Sequence, residues 1–251
     1  MRMRTSGALL RALGCGVVVS LLFAACSEPS HRYVRNTDLR SAFKVPTGWT
    51  TFTEAEVLGT GTEPQPSTPD PLTWVVGIDG DPRPSAAHVL DPGALNTDHP
   101  NGVALVQEFS FQDRDAASFS FMRNYIFPVD ELIANPNNAQ VLTYDDALVE
   151  DGFRGVHLIF QFRFDAIEEL SAQSTDAPDP EAVRSALARA TLGGAGAGLL
   201  NPDFVTVNQI SYIDRDTSRV YFFAMLCSAA CYDRNRGDIE STVDSWTVQP
   251  A

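Results

Sequence analysis

Residues 156–164 alternate strictly: Leu158, Phe160, Phe162 and Phe164 fall on one side, and His157, Gln161 and Arg163 on the other. A period of two predicts a β-strand with one buried face. The same reasoning predicts strands at 41–45, closed by the turn-forming Pro46-Thr47-Gly48-Trp49, at 73–78, at 103–111 and at 139–149. Residues 150–155 turn the chain between the 139–149 and 156–164 strands. Residues 204–213 and 219–227 predict a hairpin about the polar run 214–218. Its second strand is apolar on both faces from Val220 to Leu226, as expected of a strand covered on both sides.

Two helices complete the pattern. Asp113 or Asp115 is placed to cap a helix that passes through Phe119, Met122, Tyr125 and Ile126 and ends near Pro128. Near the C-terminus, Ile239, Val243 and Trp246 share a helical face at i, i+4 and i+7, with the start marked by Asp233 and Asn235. Residues 247–249 have the length of a short edge strand. Proline- and glycine-rich connections at 59–71, 79–102 and 165–202 are longer than compact domains usually carry, and the last includes a helical piece at 181–191. This order predicts an α+β fold: a curved, mostly antiparallel sheet sandwiched between helices, in a single domain over 36–251.

The first 35 residues do not read as fold. Arg2, Arg4 and Arg11 precede an uncharged run over 13–25 that ends Ala24-Ala25-Cys26. A basic start, a short apolar core and small residues are the marks of a secretory signal, here residues 1–25. The run is too short for a comfortable membrane span of about 20 residues. Cys26 after the small pair resembles the bacterial lipobox, whose cysteine is diacylated and becomes the mature N-terminus; Phe23 departs from it, where leucine is usual. The resemblance implies a protein outside the cytoplasm, lipid-anchored to a bacterial cell membrane, with 26–35 as a polar tether. Two acyl chains would hold it stably.

Removing the signal sharpens the charge. It leaves 15 of the 18 basic residues against 32 acidic ones, so the net charge of −14 becomes −17. Such a chain is repelled by nucleic acid and by anionic headgroups. Lys44 is the sole lysine beside 17 arginines, which points to a GC-rich genome of the actinobacterial kind.

Cys227 and Cys231 are an isolated close pair, which outside the cytoplasm predicts a structural disulfide. A redox role wants the shorter C-x-x-C spacing, and zinc wants two more ligands. Other motifs dissolve on inspection. Ser41-Ala42-Phe43-Lys44 matches S-x-x-K, but that chemistry needs a helix, and this segment is extended and lacks a following K-T-G. The glycine-rich run 193–198 has neither the register nor the lysine of a nucleotide loop. Residues 214–218 begin like a calcium loop, yet Arg219 and Met225 stand where glycine and glutamate belong. Asp79, Asp81, His88, Asp91, Asp98 and His99 share one long loop without any recognised ligand spacing, so no metal and no cofactor is assigned.

Phe43-Lys44-Val45-Pro46-Thr47-Gly48-Trp49, the 204–227 hairpin and the run 238–246 together resemble the PsbP/Mog1-like α/β sandwich found in many small bacterial lipoproteins. That resemblance implies a binding or assembly role without a shared catalytic motif, so no catalytic residue carries over. The expectation is therefore a membrane-anchored, non-catalytic envelope lipoprotein that docks another envelope component. The alternative is a carrier that holds an apolar molecule or lipid between sheet and helix, because the phenylalanine-rich faces suit an apolar pocket as well as a core. A hydrolase ranks third, for want of a nucleophile set.

Overall fold

The computed structural model describes residues 29–58, 74–90, 97–150, 152–166 and 204–249. Among the described residues, ten strands form two antiparallel sheets. The larger is built from β3 (Thr50–Thr53), β4 (Trp74–Asp79), β5 (Asn101–Glu108), β6 (Ala139–Glu150), β7 (Phe153–Arg163), β8 (Phe204–Ile213) and β9 (Arg219–Ser228). Its spatial order is β3-β4-β5-β9-β8-β7-β6. The smaller joins β1 (His31–Asn36), β2 (Ser41–Pro46) and β10 (Thr247–Val248), with β2 in the middle. The expected α+β class and antiparallel sheet are what the chain adopts.

The order explains where the helices lie. After β5 the chain must reach the far edge before β6, β7, β8 and β9 return strand by strand to pair with β5. It crosses on three short helices, α3 (Phe111–Ala116), α4 (Phe119–Arg123) and α5 (Val129–Ile133). Met122, Tyr125, Phe127 and Leu132 of this crossing bury against Leu158, Phe160 and Phe162, the apolar face of the alternating strand. Two other short helices, α1 (Glu54–Leu58) and α2 (Ala86–Leu90), flank β4.

The opposite face is closed differently. There α6 (Ala229–Val243) and the small sheet share the cover, and Phe43, Val45, Tyr232, Ile239 and Val243 bury against Ile78, Phe223 and Met225. Phe43 joins the two sheets, with its ring centroid 4.9 Å from that of Phe223 and 5.6 Å from that of Trp246. Each such aromatic pair contributes about 0.5–1.5 kcal/mol beyond the area it buries. Arg32 adds a polar link, donating to Thr51 Oγ1 at 2.9 Å and to the Trp49 carbonyl at 2.8 Å.

Four expectations need correction. Residues 31–36, within the supposed tether and at its end, are strand β1, because Val34 packs on the second core and the segment pairs along the whole of β2. The single helix over 113–128 is broken into two, α3 and α4, and α5 starts only after Pro128. Ser118 starts a new turn by accepting from Phe121 N at 3.1 Å, after Ala117 has gone extended. The 79–102 connection contains α2 and the first residues of β5, so it is not one open loop. The last helix begins at Ala229, capped by Ser228, four residues before Asp233. Residues 59–71, 167–202 and the expected helix at 181–191 lie outside the described residues, as does Cys26.

Candidate ligand-binding cleft

Three turns converge at one end of the sheets. In the β1–β2 turn, Asn36 Oδ1 accepts the N–H groups of Asp38 and Leu39 at 3.0 and 2.9 Å, and Arg40 takes a left-handed conformation at φ +50°. The Gln249 N–H donates to the Arg40 carbonyl at 3.1 Å and draws the C-terminal tail in beside it. In the β8–β9 turn, Asp214 accepts from Ser218 N, Ser218 Oγ and Arg219 N. That wraps Thr217 into φ +54°, which is rare for a β-branched residue. The third turn carries Gly152 at φ +91°, where glycine pays no Cβ penalty, and sits against Arg215.

Between these turns lies a cleft of about 280 Å³. Asp38, Leu39 and Arg40 form one wall, and Asp214, Arg215, Asp216 and Arg219 the other, with Phe153 and Tyr221 also lining it. The two rings meet edge to face at 5.5 Å. Arg40 and Gln249 also line a second, adjoining hollow of about 460 Å³ that includes Tyr33, Arg35 and Thr247. The guanidinium of Arg35 sits over the Tyr33 ring at 5.1 Å.

Arg114, Arg123, Arg163, Arg234 and Arg236 each have a carboxylate within 4.0 Å. Arg215 and Arg219 form no ion pair among the described residues, although three aspartates line the same cleft. Arg219 Nε is buried without a partner among the described residues, an arrangement that costs about 1–3 kcal/mol in a neutral group and more in a charged one. Burial pushes the Tyr221 phenol up, while the hydrogen bond and charge of Arg219 pull it down. The arrangement offers two guanidiniums over an aromatic floor, which is the chemistry of binding an anionic group.

The residues singled out in the sequence lie elsewhere. Cys227 and Cys231 are joined by a disulfide, with Cα atoms 5.9 Å apart, and link the end of β9 to the first turn of α6. Ser41 and Lys44 are three positions apart on a strand and so lie on opposite faces, which removes the S-x-x-K chemistry. Asp79 is buried and organises its own loop, accepting Asp81 N at 2.8 Å, Ser85 N at 2.9 Å and His88 Nδ1 at 2.9 Å. The Arg83 N–H holds the Asp81 carboxyl below its usual range. Asp98 pairs instead with Arg234 at 3.0 Å. Among the described residues no three His, Cys, Asp or Glu side chains come together around a cation position; Asp91 lies outside them.

Sequence reasoning missed Arg40, Arg215, Arg219 and Gln249. The one available signal was the charged run 214–219, read only as a turn, and nothing local joins it to residues 40 and 249.

An α+β chain with an antiparallel sheet and an arginine-bearing cleft is the class these observations define. No protein-family model matches it, and no curated protein matches it in sequence. Among solved structures it is similar to the solution structure of cyanobacterial PsbP (CyanoP) from Synechocystis sp. PCC 6803, at 12% identity and TM-score 0.45, over 89% of this chain and 95% of that one. It is also similar to the Saccharomyces cerevisiae Ran-binding protein Mog1p, at 8% identity and TM-score 0.39, over 88% of this chain and 96% of that one.

Proposed function

We propose that this chain is a non-catalytic binding or assembly module of a bacterial cell envelope, held outside the membrane by a lipid on Cys26, which grips a partner protein through the cleft at the β1–β2 and β8–β9 turns. The observation that carries the reading is the cleft itself, where two arginines stand without ion pairs among the described residues in a chain of net charge −14. The anchor rests on the run Leu21-Leu22-Phe23-Ala24-Ala25-Cys26. The carrier alternative draws no support from the phenylalanine faces, since Phe160, Phe162, Phe222 and Phe223 are fully buried against helices or the second sheet.

A photo-crosslinking amino acid in place of Leu39, on the cleft wall, tests the docking role in living cells. The expected result is a discrete adduct that is absent when the same group replaces Glu131, on α5 over the opposite face of the sheet. Matching adduct patterns from the two positions would sink the reading. Palmitate labelling of the wild type against Cys26→Ser tests the anchor, and equal labelling would end it.

A further inference from the structure

We propose that the cleft seats a carboxylate presented by the partner protein, a chain terminus or an acidic side chain, with Arg215 and Arg219 as its counter-charges; this rests on the docking role proposed above. Three features select that group. The guanidinium fork matches a planar carboxylate, with two parallel N–H donors for two oxygens. Among the described residues, Arg219 supplies a donor with no partner at Nε, and Arg215 an exposed guanidinium without an ion pair.

The acidic residues set the charge of the ligand. Asp214 is committed to its turn, but Asp38 and Asp216 stay exposed at the rim and repel a doubly charged phosphate about twice as strongly as a single carboxylate. The size sets the rest. At about 280 Å³ the cleft is smaller than the roughly 300–1,000 Å³ that encloses a drug-sized molecule. It takes an end group, whose carbon stem then lies against Phe153 and Tyr221.

The test uses the chain carrying Cys26→Ser and two alanine-rich hexapeptides, one with a free C-terminal carboxylate and one amidated, followed through the Arg Nε resonances in NMR titrations. The free-acid peptide is expected to bind at least tenfold tighter than the amide and to shift the Arg219 resonance. Arg215→Gln and Arg219→Lys are each expected to reduce that preference, while Arg234→Gln, at the ion pair on α6, leaves it intact. Arg215 is exposed, so its variant keeps the test valid if Arg219→Lys disturbs the fold. Equal binding of acid and amide, no saturable shift with either, or tighter binding of inorganic phosphate than of acetate would each overturn the carboxylate assignment. A Leu39 adduct without any carboxylate preference would retain the docking role and remove this ligand. Carboxylate binding with no adduct in cells would do the reverse.

Discussion

Asn208 Nδ2 donates to the Tyr232 hydroxyl at 3.1 Å, across the seam between β8 and α6, and both side chains are buried. With that amide nitrogen committed, Asn208 Oδ1 faces His157 Nε2 at 2.8 Å, so the imidazole donates from Nε2. Burial pushes the Tyr232 phenol up to about 12, which keeps it protonated throughout the neutral range. Tyr232→Phe deletes the partner of a buried amide and is expected to destabilise the fold by about 1–3 kcal/mol, read as a lower urea midpoint at unchanged slope.

The disulfide between Cys227 and Cys231 closes a very short loop, so its effect on the unfolded chain is at the low end of the usual range. The Cys227→Ser/Cys231→Ser double variant is expected to lose about 2 kcal/mol. Reductant should lower the melting temperature of the wild type and leave the variant unmoved. A wild type insensitive to complete reduction would contradict this.

Asp130 is held at about 2 chiefly by its hydrogen bonds from Arg123, helped by Asn124 and Ser120. A carboxylate lowered in the folded state contributes stability that is complete above its unfolded value near 3.8 and is lost as pH falls through about 2. Wild type should therefore exceed Asp130→Asn in urea midpoint at pH 5, and the gap should narrow steadily toward pH 2. A gap independent of pH would mean that the charge contributes nothing. Arg123 also reaches Tyr144 on β6 at 2.9 Å, so the variant should loosen the edge strand first in hydrogen exchange.

Gly102 faces Met225 across β5 and β9, and a Cβ there would overlap the Ala224 carbonyl oxygen and the Met225 sulfur. Gly102→Ala should cost about 1–3 kcal/mol by overpacking. Gly237→Ala, in the middle of α6 with nothing within 4 Å of the new methyl, should instead stabilise by about 0.5–1 kcal/mol. Thermal unfolding of the two variants should shift in opposite directions.

Much of the sheet was legible because strand periodicity is local. The alternation of Leu158, Phe160 and Phe162 with His157 and Gln161 does mark one face that is buried and one that is largely polar. The apolar run from Val220 to Leu226 does lie in a strand covered on both sides. Helix limits were less legible. Ser118 and Ser228 act as caps through hydrogen bonds to N–H groups three residues on, and Asp113, Asp233 and Asn235 competed for those roles on composition alone. Strand β1 was missed because its polar sequence shows no period. Its pairing with β2 and the packing of Val34 are tertiary facts.

The sequence by itself determined the class: period-two strands, turn residues between them, and two apolar faces that antiparallel strands must bury on opposite sides of a sheet. It also carried the pairing of Cys227 with Cys231, four residues apart. The tertiary structure alone decided that Arg40, Arg215, Arg219 and Gln249 meet at one cleft. Their separation along the chain leaves no local period or spacing, and only the return of β9 beside β5, with the small sheet laid across that face, brings the turns together.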